Sequence, residues 1–146
     1  MKIVLQRVLS ANVFINSQIV GSISKGILIY VGLTHTDTKE IVSKMADKIV
    51  RFRVFDSEVK GFDKSVLDTK QEILVISQFT LYGDCSEGLK PNFRPAMDYA
   101  KAEELYNLFL IELKKTNLNI QAGIFGAMMQ VQSNNNGPVT LILEKN

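Results

Sequence analysis

Gly26-Ile27-Leu28-Ile29-Tyr30-Val31-Gly32-Leu33 is an unbroken apolar run flanked by glycines and rich in β-branched residues. It has no alternation that would leave one face wet, so it reads as a strand buried on both faces. Such a strand needs neighbours on either side and cover above and below. Residues 72–82, Glu-Ile-Leu-Val-Ile-Ser-Gln-Phe-Thr-Leu-Tyr, form a second long strand candidate. Upstream, residues 3–9 and 12–15 are β-rich, Asn16-Ser17 suits a tight turn, and residues 18–23 return. Residues 53–55 read as a short strand before a turn at 56–61, and residues 120–124, 128–132 and 139–143 close the chain as strands.

Two helices supply the cover. Asp37 with Glu40 three residues on has the spacing of a capping box. Ile41, Met45 and Ile49, with Val42, Ala46 and Val50 beside them, then keep one face apolar as far as Arg51. The second helix begins at Pro95 or Asp98, carries Ala102, Leu105, Tyr106, Phe109, Leu110 and Leu113 on one side, and ends at Lys115. Between residues 83 and 95 the glycine and proline breaks predict a long loop. The expected fold class is α/β in the α+β sense. It is one domain over residues 1–146, of curled, largely antiparallel sheets with two main helices.

Composition removes several function classes. With 46% hydrophobic and 22% charged residues, the 146-residue chain is globular rather than disordered. No apolar run approaches a membrane span, and the first residues lead into an amphipathic segment rather than a signal peptide. A net charge of +2 argues against an extended grip on duplex DNA, while leaving room for contact with a nucleic-acid end. The single Cys85 forms no internal disulfide and excludes a cysteine-rich zinc site, so a reducing cytoplasm is the expected compartment. The single His35 lies in a polar stretch and has no second ligand or triad partner in a recognisable spacing. Neither metal nor cofactor is implied.

Two segments offer chemistry. In Ser77-Gln78-Phe79-Thr80-Leu81-Tyr82-Gly83 a hydrophobic strand turns polar just before the long loop, offering hydroxyl and amide groups and one stacking face. An edge strand with a wet face has the same pattern. In Asn134-Asn135-Asn136-Gly137-Pro138-Val139-Thr140 the Asn-Gly pair signals a hairpin turn, and Gly-Pro is the one common setting for a cis peptide.

Taken together, Ser77-Gln78-Phe79-Thr80-Leu81 and Asn136-Gly137-Pro138-Val139-Thr140 resemble motifs of the D-aminoacyl-tRNA deacylases. Gln6-Arg7-Val8, Lys90-Pro91-Asn92-Phe93 and Gly123-Ile124-Phe125-Gly126-Ala127-Met128-Met129-Gln130-Val131 extend the likeness in family order over nearly the whole chain. One departure is local: where the family commonly has Gly-Lys-Met-Asn, this chain has Gly61-Phe62-Asp63-Lys64-Ser65. The resemblance implies a homodimer with active sites at the subunit interface, acting on a tRNA 3′ end that carries a D-amino acid or glycine. It implies that Ser77, Gln78, Phe79 and Thr80 line the catalytic pocket, with Phe125 and Met129 in its wall. Gly137-Pro138, in the cis form, would enter the partner's pocket and select chirality, supported by Arg7. With no base beside any hydroxyl, assistance from the ribose 2′-hydroxyl is expected in place of a Thr80 nucleophile. Two other functions fit the same residues: a non-catalytic module for RNA ends or nucleotides, with Phe79 and Phe125 stacking on a base, and a small-molecule esterase using Ser77 or Thr80.

Overall fold

Strand β3 (Gly26–Gly32) runs through the middle of the sheet, antiparallel to β1 (Lys2–Ile15) and parallel to β6 (Glu72–Ser77). Every residue of β3 except Tyr30 is buried, as a strand covered on both faces requires. These and the other elements come from a computed structural model that describes residues 1–145. β2 (Gln18–Ile23) and β8 (Gln130–Glu144) pair antiparallel with β1, and β7 (Ile120–Ala122) lies parallel to β6 at the far edge. A separate two-stranded ribbon joins β4 (Arg53–Phe55) to β5 (Lys64–Ser65). The sheet is therefore mixed. The parallel pairs arise where a helix carries the chain back across the sheet: α1 (Lys39–Arg51) between β3 and β6, and α3 (Tyr99–Lys114) between β6 and β7. A four-residue helix, α2 (Val66–Thr69), follows β5 behind a capping box formed by Ser65 and Asp68.

Two cores form because β1 curls. Ile3 and Leu5 of β1, Ile27 and Ile29 of β3, and Ile73 and Val75 of β6 pack beneath α1 and α3 with Met45, Ile49 and Phe109. Beyond Arg7 the same strand turns its apolar side over, and Val8, Ala11 and Val13 cover Leu28, Leu74 and Ile76 on the opposite face. The turn expected at Asn16-Ser17 is present, with both residues at positive φ.

Three expectations need correction. Asp37 is not the helix cap: Thr38 caps α1, its hydroxyl accepting from the Ile41 N–H at 3.3 Å. Asp37 is buried instead, ion-paired with the α-ammonium of Met1 and accepting from the Thr34 N–H at 2.8 Å. The second strand stops at Ser77 rather than continuing to Tyr82, and Phe79–Tyr82 is a 3₁₀ turn. Gly32 explains this. The chain crosses over the end of β3 so closely that a Cβ at Gly32 would lie 2.9 Å from the Leu81 Cβ and 3.1 Å from the Gln78 carbonyl oxygen. Finally, residues 134–138 form no hairpin. Both halves of β8 pair with β1, and between the Gln6–Thr140 and Val8–Asn135 pairs only Arg7 faces residues 136–139. The Asn-Gly-Pro segment is thus a bulge inside one long strand.

Candidate active site

The polar end of β6 opens into a cavity of about 650 Å³ between the sheet, α3 and the β7–β8 connection. That volume falls within the range that holds a drug-sized ligand. Ser77, Gln78 and Phe79 form one wall, and Phe125 and Met129 form another. Five of the residues singled out in the sequence therefore share one cavity. Thr80 is not among the lining residues; it lies in the adjoining 3₁₀ turn, where its hydroxyl accepts from the Gln78 side-chain amide. The N–H groups of Phe79 and Thr80 open that turn and have no acceptor within it, so they are available to developing negative charge.

Aromatic packing shapes the cavity. Phe79, more than half exposed, meets Phe93 of the long loop edge-on with ring centroids 5.1 Å apart. Phe125 is held between Tyr99 at 5.1 Å and Tyr106 at 5.4 Å. Tyr99 also lines the cavity, and its hydroxyl lies over Gly126 so closely that a Cβ there would meet it at 2.5 Å. Tyr99 belongs to no sequence motif, because as the first residue of α3 it carries no pattern of its own. Tyr106 spends its hydroxyl on the Val75 carbonyl at 3.1 Å, and burial pushes its pKa up, so it stays protonated.

The other candidate residues lie elsewhere. Gly137 and Pro138 are exposed on the β8 bulge, outside the cavity of their own chain, and their peptide bond is cis. Gly137 has φ +127°, and a Cβ there would come within 2.8 Å of Val139 Cγ2 and 3.1 Å of Arg7 Nη2, so only glycine fits. Arg7 Nε donates to the Asn136 carbonyl at 3.2 Å, and Nη1 donates to the Val54 carbonyl at 2.8 Å.

The lone histidine and cysteine play no part in the cavity. His35 Nε2 is 2.9 Å from the Arg94 carbonyl oxygen, and Cys85 is exposed in the long loop. Among the described residues no group of three or more His, Cys, Asp or Glu side chains could hold a metal ion, and no helix is long and apolar enough to cross a membrane.

Comparison with known proteins places these features in a family context. Residues 4–144 match the family model described as D-Tyr-tRNA(Tyr) deacylase. A Clostridium botulinum protein (strain Alaska E43 / Type E3) named D-aminoacyl-tRNA deacylase is 48% identical over 144 residues, which is 99% of this chain and 97% of that protein. A Halothermothrix orenii protein of the same name is 45% identical over 146 residues, covering 100% of this chain and 98% of its own length. Among solved structures, one titled c-Myc DNA Unwinding Element Binding Protein superposes with a TM-score of 0.94 at 43% identity, covering 100% of this chain and 99% of its own. A probable eukaryotic D-amino acid tRNA deacylase shares the fold, with a TM-score of 0.86 at 16% identity and 97% coverage of both chains.

Proposed function

The chain belongs to the D-Tyr-tRNA(Tyr) deacylase family, and from that premise we propose that it clears mischarged tRNA as a homodimer that reads chirality across its subunit interface. It is a hydrolase of ester bonds, and its substrate is a tRNA whose 3′ end carries a D-amino acid. Water adds to the ester carbonyl, the bond to the ribose oxygen breaks, and free D-amino acid and tRNA leave.

One observation carries the finer reading: the rigid Gly137-Pro138 bulge and the cavity at Ser77 to Phe79 lie apart within one chain. A second copy brings them together. Exposed apolar side chains at Ile124, Met128 and Ile142 provide surface for such an association. In this reading the cavity takes the terminal adenosine and the esterified amino acid, with Phe79 and Phe125 against the base. The partner's Gly137-Pro138 carbonyls then form a wall beside Cα. An L side chain would collide with that wall, whereas a D side chain points away from it. Glycine gives such a wall nothing to reject, so glycyl-tRNA is also a substrate.

The reacting centre needs no protein base. The 2′-hydroxyl neighbours the ester and is already positioned within the substrate, so it can relay a proton during attack. The N–H groups of Phe79 and Thr80 then stabilise the oxyanion.

Matched D- and L-tyrosyl-tRNA separate this reading from its rivals. The purified protein is expected to release D-tyrosine and leave the L-ester intact. A nucleotide- or RNA-binding module would release neither, and a general esterase would also cleave simple esters lacking a ribose. Light scattering in moderate salt is expected to give twice the chain mass. A monomer that retains full chiral discrimination would rule out the shared site.

A further inference from the structure

Arg7 does not hold the Gly137-Pro138 bulge unaided. Its side chain is only 11% exposed, and it is fixed from several directions. Nη1 reaches the Asp56 carboxylate at 3.3 Å as well as the Val54 carbonyl, while Nε holds the Asn136 carbonyl. The Phe62 ring covers the guanidinium, with its centroid 5.9 Å from Cζ, at the outer limit of cation–π range. The same Asp56 carboxylate accepts from the Phe62 N–H at 3.1 Å, so one group fixes both the cation and the turn that places the ring over it. Phe62 has φ +53°, and the turn around it is closed by the Ser57 N–H on the Lys60 carbonyl and the Asp63 N–H on the Phe55 carbonyl, both at 2.8 Å. Phe62 belongs to neither core and is half exposed. A large aromatic ring kept on a surface turn at a left-handed backbone position calls for a reason other than core packing.

We propose that Phe62 and Asp56 are positioning residues for chiral selection, acting through Arg7 on the direction of the Asn136-Gly137-Pro138 backbone; this rests on the cross-subunit reading above. The ring keeps water off one face of the guanidinium, so fewer solvent molecules compete for its N–H donors. The carboxylate prevents the head group from swinging towards the bulge or away from it. Without either, Arg7 regains rotamers that release the Asn136 carbonyl, and the wall beside the substrate Cα loosens. Neither side chain touches substrate in its own subunit's cavity, so the effect appears in discrimination rather than as a lost chemical step.

The test is the ratio of kcat/KM for L- to D-tyrosyl-tRNA, which is independent of the fraction of folded enzyme. Phe62→Ala and Asp56→Asn are each expected to raise that ratio roughly tenfold, the scale of one weakened charge-assisted hydrogen bond. Thermal denaturation should barely change for Phe62→Ala, and Phe62→Met, which again covers the guanidinium with a large apolar side chain, should restore discrimination. An unchanged ratio in both Phe62→Ala and Asp56→Asn overturns the proposal while leaving the deacylase standing. A wild-type protein that fails to release D-tyrosine instead overturns the reading beneath it.

Discussion

Replacing the ribose 2′-hydroxyl of D-tyrosyl-tRNA by hydrogen is expected to slow the chemical step by about 100-fold or more, the scale of a lost proton-transfer partner. Thr80→Val should cost much less. The expectation comes from what lines the cavity. Ser77, Gln78, Phe79, Phe125 and Met129 carry no group that could act as a base at neutral pH. Tyr106 is held protonated by burial, with its hydroxyl already donated to Val75. The Thr80 hydroxyl accepts a hydrogen bond from Gln78, an amide that cannot take its proton. His35 and Cys85 lie outside the cavity, so His35→Ala and Cys85→Ser serve as controls that should keep most of the wild-type rate. Single-turnover rates at saturating enzyme separate chemistry from binding, since the 2′-hydroxyl also contributes to affinity. Full activity on the deoxy substrate would restore Thr80 as a nucleophile.

The largest stability effect is expected at Asp37. Its carboxylate and the Met1 ammonium are both fully buried and paired, and the ammonium also donates to the Lys145 carbonyl at 2.7 Å. Asp37→Ala leaves that cation in a low-dielectric site without a counter-charge and removes the acceptor for the Thr34 N–H. Breaking one side of a buried pair costs about 3–5 kcal/mol. In a chain of this length that corresponds to a fall in melting temperature of order 10 °C. The effect should reach the cavity, because Thr34 bridges to Ala96 and the Met97 N–H bonds the Leu33 carbonyl at 3.0 Å, just where the chain enters α3. A melting temperature within a degree or two of wild type would show that the pair is not a keystone.

Periodicity made the helices and the buried strand legible. Ile41, Met45 and Ile49, and Leu105, Phe109 and Leu113, recur at spacings only a helix can bury on one side, and the 26–33 run leaves no polar face to solvent. What was illegible depended on partners distant in sequence. Residues 79–82 alternate well enough to be a strand, and it is the lack of a Cβ on Gly32 that lets them cross the sheet end instead. Asn-Gly-Pro carries hairpin chemistry, but the same long β1 pairs with both sides of it, so the segment bulges opposite Arg7. Asp37 has cap spacing, yet the Met1 ammonium at the start of β1 offers a stronger partner than a helix N–H. The 56–70 region carries a legible signal of its own, since Ser65 with Asp68 three residues on has capping-box spacing. Ser77, Gln78, Phe79, Phe125 and Met129 converge on one cavity, whereas Arg7, Gly137 and Pro138 form a second cluster that sequence order alone would not have separated from the first.

The pairing of β1 with β8 runs from Lys2 opposite Glu144 to Phe14 opposite Gln130, so β1 is completed by a strand far along the sequence. On the ribosome, therefore, the amino-terminal strand leaves the tunnel long before its edge can be satisfied. β2 and β3 can claim one side of it early, while the other side waits for β8. Contacts of such sequence separation give a high contact order, which slows closure and prolongs the life of an unpaired, aggregation-prone edge. The Arg7–Asn136 bond joins the same two strands, so the bulge takes its shape only once β8 has been made. In a nascent chain the Gly137-Pro138 bulge therefore takes shape after β1, β2 and β3 have been able to pair.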